Sequence, residues 1–189
     1  MLMLKFTYHI SIVGEEFLME LNHANNNFIK IDDNDLTFEK IYSKEYITDN
    51  ILEDVKKANI LLVPDEKHSE ELVFPERTTE FLDYLKDNAP ANNCVVDICI
   101  SDEQYKRLEL HDATVILPVI LVQYVYYPII INLISNYLYD LIRKTDNDDT
   151  KLKAEIVIEK DGESRKIKYD GPAEYFEKSL KAIKKNLLW

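Results

Sequence analysis

Residues Ala113 to Tyr139 form 27 consecutive positions without a formally charged side chain. In a chain of 189 residues nothing limits the fold more, because an apolar run of this length is either a membrane span or part of a core. Arg143 and Lys144 follow the run while Glu109 and Asp112 precede it, the charge bias of a helix whose C-terminal side faces the cytoplasm. Its own content argues against spanning, since Pro118, Gln123, Pro128, Asn132, Ser135 and Asn136 interrupt it. In its second half Asn132, Ser135, Asn136, Tyr139, Asp140 and Arg143 gather in one arc. Ile130, Leu133, Ile134, Tyr137, Leu138 and Leu141 fill the rest. This pattern predicts a strand ending near Pro118, then a long core helix over about 120–143, kinked or restarted at Pro128. Five tyrosines crowd the segment, and tyrosine suits an interface because its hydroxyl needs water or a partner. Tyr124, Tyr127, Tyr137 and Tyr139, with Ile130 and Leu138, are the expected contact surface of a homo-oligomer or a protein complex.

Scarcity elsewhere removes whole classes of chemistry. The chain has three glycines, at 14, 162 and 171, too dispersed for a dinucleotide fingerprint or a Walker loop, where several must cluster so that backbone approaches phosphate. The G-x-S-x-G elbow of α/β-hydrolases is excluded for the same reason. Two cysteines, Cys94 and Cys99, cannot build a disulfide scaffold or a four-thiolate zinc site. Their odd spacing in a strand-like run places them on opposite faces as reduced core residues. The first ten residues mix polar with apolar side chains and carry no leader pattern, so a cytoplasmic location is expected.

Hydrophobic periodicity outlines the elements. Leu4 to Ile12 alternates as a half-buried strand, Glu15 to Asn25 suits a short helix, and Phe28 to Ile31 offers a brief strand. No regular pattern stands out from there to about Tyr46. Beyond it, a helix over 51–58 leads to an apolar strand at 60–63, a helix over 79–87, a strand at 95–100, a short helix over 102–110 and a strand at 114–117. Strands that alternate with helices and read as continuous apolar runs predict a three-layer α/β sandwich with a mostly parallel, Rossmann-like sheet.

The C-terminal part is best specified. Asp161-Gly162 is a type I′ turn signal between two β-patterned runs. Pairing outward from it sets Lys160 opposite Glu163, Glu155 opposite Lys168 and Ile156 opposite Ile167. Ala154, Ile156, Ile158, Ile167 and Tyr169 then share a packed face, and Glu155, Val157, Glu159, Lys166 and Lys168 a wet one. After Pro172, at the expected first helical position, Phe176, Leu180, Ile183 and Leu187 recur at helical spacing. The formal charge of −12 divides unevenly. Residues 1–150, the α/β body, carry 13 basic and 28 acidic side chains, and residues 151–189, a ββα tail, carry 10 and 7. The polar stretch from Lys144 to Thr150 joins the two parts, and the tail is expected to pack on the body as one unit.

Ligands of open α/β sheets collect beyond the strand carboxyl ends, and the residues there are acidic: Asp65 and Glu66, Asp102 and Glu103, with His111 and Asp112 before the next strand. If they converged, Asp65 and Asp102 would ligate Mg²⁺ or Mn²⁺ with His68 or His111 as acid or base, the arrangement of a metal-dependent hydrolase or nuclease. A competing explanation is that Ser101 and Gln104 form a capping box and the acids stabilise helix starts. The histidines at 9, 23, 68 and 111 show no metal-ligand spacing, and no motif distinguishes one of the seven serines as a nucleophile. Arg165, Lys166 and Lys168 form a modest basic group explained equally by a solvated face, and the acidic body does not suit nucleic acid. The reading that follows is a cytoplasmic binding protein, a regulatory or accessory subunit of a bacterial system, with no required cofactor. Its alternatives are the metal-dependent enzyme and a membrane-acting effector that uses residues 113–142.

Overall fold

The Asp161-Gly162 turn organises the fold around it. In the computed structural model, which describes residues 28–66, 72–108, 114–145 and 150–183, both turn residues have positive φ (53° and 84°), as a type I′ turn requires. The turn joins β8 (Lys151–Lys160) to β9 (Glu163–Pro172) in the expected register, with Lys160 opposite Glu163, Glu155 opposite Lys168 and Ile156 opposite Ile167. This hairpin lies inside a seven-stranded sheet. On its β9 side sits β1 (Ile29–Asn34). On its β8 side come β7 (Val119–Gln123), β2 (Ile60–Val63) and β4 (Val96–Ile98), while β6 (Val115–Ile116) also pairs with β8. Residues 4–12 and 15–25, expected as a strand and a helix, lie outside the described residues.

The sheet is mixed and mostly antiparallel, which corrects the expected mostly parallel, Rossmann-like order. The β1–β9, β9–β8 and β2–β7 ladders are antiparallel, and only β6 and β7 on β8, and β4 on β2, run parallel. The α/β class holds, and the reason for the misreading is physical. All of Ile60, Leu61, Leu62 and Val63 are buried, because helices cover both faces of β2, and an apolar run records cover on two faces rather than strand direction.

One face carries the larger core. Ala154, Ile156, Ile158, Ile167 and Tyr169 pack there beneath α3 (Thr78–Asn88), α4 (Tyr127–Thr145) and α5 (Phe176–Ala182). Pro128 occupies the first turn of α4, where a missing N–H costs nothing. The stretch expected as helix from about 120 is instead strand through Gln123 and a 3-10 turn at Tyr124–Tyr126. Pro172 likewise ends β9 rather than starting a helix, and a 3-10 turn precedes α5. Phe176, Leu180 and Ile183 are buried as expected, and the Tyr127 hydroxyl donates to the Leu180 carbonyl (3.2 Å), fastening α4 to α5.

The opposite face is covered by α1 (Phe38–Tyr42) and α2 (Asp49–Lys57), whose Phe38, Ile41 and Val55 meet Leu61, Leu121, Val157 and Cys99. Cys94 belongs to the first core and Cys99 to the second, so the two thiols do lie on opposite faces. Thr37 caps α1 by accepting from the Lys40 amide (3.3 Å), and the Glu159 carboxylate accepts from the Phe38 amide (2.5 Å). The helix expected over 102–110 is replaced by one turn after Ser101 and a short strand, β5 (Arg107–Leu108), paired with β3 (Phe74–Pro75). Stacking of Tyr105 on the buried Phe74 (5.3 Å) outweighs the weak helix preference of so short a segment.

Two details shape the open part of the second face. β1 leaves the sheet at Asn34 and β2 enters it at Asn59 and Ile60, at the same end, because the register places Asn34 beside Ser164, Ser164 beside Glu159, and Glu159 beside Gln123, whose amide bonds the Asn59 carbonyl. Among the described residues the α1–α2 crossover therefore leaves the other end of the second face open. At that end the β6–β7 strand carries one extra residue: Ile116 pairs with Lys153 and Ile120 with Ile156, four steps against three. The bulge falls at Leu117-Pro118, where proline has no N–H to give the ladder.

Gly171 is required by close approach. A Cβ there would stand 2.6 Å from Cγ and Cδ1 of Phe28, whose ring stacks on Tyr175. Gly171→Ala is expected to destabilise the fold by about 1–3 kcal/mol through overpacking. Urea unfolding should show that penalty shrinking in the Phe28→Ala background, since the clash partner is gone.

Candidate functional site

Between the crossover, the bulge and the hairpin lies a cleft of about 830 Å³. Its floor is the second face of β8, β9 and β7, where the pleat presents Glu155, Val157, Lys166, Lys168 and Val119 together. One wall comes from the start of the crossover with Leu36, Lys40 and Lys44, another from Ile116, Leu117 and Pro118 of the bulge. The far wall holds Val63, Pro64, Asp65 and Glu66 after β2, with Phe74 beside them.

The floor centres on one carboxylate. Glu155 accepts from Lys166 Nζ at 3.3 Å and stands 3.5 Å from Lys168 Nζ. The Lys166 side chain is only 11% exposed, whereas that of Lys168 is 40% exposed. The remaining lysines of the lining each have a carboxylate of their own: Lys40 with Asp35 (3.1 Å), Lys44 with Glu66 (2.7 Å) and Lys153 with Asp170 (3.8 Å). Glu66 also accepts from the Tyr46 hydroxyl (2.8 Å), and burial together with that carboxylate raises the phenol well above its ordinary value. The lysine beside Asp35 holds that exposed carboxyl below its usual range.

The strand-end carboxylates expected from the sequence meet the cleft only in part. Asp65 and Glu66 do line the cleft, but Asp65 is tied into a bridge with Val73, and Glu66 is engaged by Lys44 and Tyr46. Asp102 and Glu103 follow β4, the parallel neighbour of β2, in the turn where the Ser101 hydroxyl bonds Gln104 (3.2 Å), and they do not line the cleft. The backbone amide and the Ser101 hydroxyl hold the Glu103 carboxyl below its ordinary value. Among the described residues no group of three or more His, Cys, Asp or Glu side chains stands ready to hold a metal ion, and His68 and His111 lie outside them. Among the same residues no helix is long and apolar enough to cross a membrane.

Of the six expected contact residues, Tyr127, Ile130, Tyr137 and Leu138 are buried in the first core. Burial pushes the Tyr137 phenol up to about 12. Tyr124 is half-buried with Lys160 Nζ 5.2 Å from its ring centre, and Tyr139 alone of the six is well exposed, at 66%. The sequence pattern puts Lys166, Lys168 and Glu155 on a solvated face. Their signal was the Glu155–Lys168 register pair, which shows that charges meet but not that walls rise around them. No family model matches the chain, and neither a curated protein nor a solved structure matches it.

Because Glu155 is, among the described residues, the sole carboxylate within ion-pair distance of the nearly buried Lys166 ammonium, Glu155→Ala is expected to cost about 1–3 kcal/mol. Lys168→Ala, which removes a half-exposed partner, should cost no more than about 1 kcal/mol. Urea midpoints of the two variants measure the difference, and equal values would show that Lys166 does not depend on Glu155.

Proposed function

We propose that the protein works by binding, as a regulatory or accessory subunit whose ligand occupies the cleft over the open half of the sheet. One observation carries this reading: an 830 Å³ concavity combines an apolar lining with a small group of converging charges on rigid strands. Ligand sites commonly measure about 300–1,000 Å³ and pair apolar walls with a few placed polar groups. The floor charges sit on β8 and β9, two ten-residue strands of one ladder, so their spacing is set by the hairpin rather than by loops. The bulge at Leu117-Pro118 opens the wall beside them.

Val119→Trp fills the cleft from a partly buried position of β7. The variant is expected to remain folded while losing any small-molecule adduct seen in native mass spectrometry of the purified protein, and any thermal shift seen across a metabolite panel. Identical adducts and shifts in both proteins would place the ligand elsewhere.

A second reading, association with a protein partner or with a second copy, is favoured by Tyr139 at 66% exposure in the middle of α4's outward stripe. Tyr139→Asp is expected to lower the mass measured by light scattering or to abolish a partner pull-down, without loss of stability. An unchanged mass and an unchanged pull-down would remove this surface from consideration.

A further inference from the structure

We infer that the ligand of the cleft is a singly charged organic acid with an apolar tail, its acid group seated on Lys166 and Lys168; this rests on the cleft being the binding site. The argument begins with how the charges close. Lys40, Lys44 and Lys153 are each matched by a separate carboxylate, and Lys30 beside the floor is matched by Asp32 (2.9 Å). Glu155 serves both Lys166 and Lys168, which among the described residues leaves one positive charge in excess at the floor.

That excess is local. Asp65 and Glu66, the latter already paired with Lys44, follow β2, and two strands, β8 and β7, stand between β9 and β2. At the usual strand spacing the two ends are about 14 Å apart. The excess charge thus lies at the β9 end of the cleft, with Val119, Leu117 and Pro118 between it and the β2 end and Phe74 at the far wall. An acid placed at the β9 end gains two ammonium donors, and its tail runs over apolar surface toward β2. Reversed, the same acid meets Lys44 already matched by Glu66 and gains no excess ammonium among the described residues. A single charge suffices, because one acid completes the count that Glu155 leaves open.

The test uses the full chain and dodecanoate below its micelle concentration, followed by isothermal titration calorimetry. Dodecanoate is expected to bind one to one, dodecanol and dodecylammonium roughly tenfold or more weakly, and acetate not measurably, since a charged hydrogen-bond pair and the tail both contribute. Lys168→Gln should weaken dodecanoate roughly tenfold. Glu155→Gln should tighten it, because the competing carboxylate is gone. A role confined to holding the fold would weaken binding in both variants, so opposite signs distinguish the two. Equal binding of dodecanol or dodecylammonium, or weaker binding in Glu155→Gln, would overturn the acid while leaving the cleft as a site. No binding by any of the four probes would overturn the acid; if the metabolite panel also fails to distinguish Val119→Trp from the parent protein, the site falls with it.

Discussion

The register of one hairpin is the constraint from which the rest follows. With Asp161 and Gly162 both at positive φ, the turn admits only one alternation of faces along β8 and β9. That alternation sends Ala154, Ile156, Ile158, Ile167 and Tyr169 to the side of α3, α4 and α5, and collects Glu155, Lys166 and Lys168 on the other. A slip of one residue would exchange the two sets, placing three charged side chains under α4 and an apolar row in the cleft. Because β9 is flanked by β1 and β8 by β7, such a slip would also break the ladders on both sides. The core and the candidate site therefore depend on the same two turn residues.

The open half of the second face follows from chain path. β1 exits and β2 enters at the same end of the sheet, so α1 and α2 can cross between them without covering the opposite end. Their apolar side chains close over Leu61, Leu121 and Val157, and the next row, Val119, Glu155 and Lys168, is left as the floor of a cleft. The bulge in β6–β7 bends the strand at that place. The floor of the concavity is sheet rather than loop, which is why Glu155, Lys166 and Lys168 are fixed by strand pairing.

How much of this could be read from residues varies with how local the cause is. The hairpin was legible to the pair, because turn chemistry and period-2 alternation act within twenty residues. The opposite placement of Cys94 and Cys99 was legible for the same reason. Strand direction was not, since a run such as Ile60 to Val63 reports cover on both faces and is silent about its neighbours' sense. The tyrosines of the apolar segment were over-read: aromatic content says that surface is valuable to bury, and α4 buries Tyr127 and Tyr137 against its own core rather than a partner's. Lys40 and Lys44 lay in a stretch with no regular pattern, and their place in a wall comes from the crossover. Lys166 is the instructive case. Alternation gives its face, but binary patterning does not give what rises around that face, and the side chain expected to be wet is only 11% exposed.

The position of Lys166 also bears on why the charges are there at all. By register it continues the row of Leu61, Leu121 and Val157, three buried apolar side chains. An apolar residue in its place would extend that row, and exchange of a largely buried ion pair for well-packed apolar groups is often neutral or stabilising. Stability alone therefore gives no reason for an ammonium at this point, or for a carboxylate and a second ammonium beside it. A site gives one. The desolvated lysine stabilises an incoming anion more strongly than a solvated one could, and Glu155 keeps it compensated while the cleft is empty. On this reading the floor is less stable than it would be if filled with apolar side chains, and the difference is the part of the fold given over to binding.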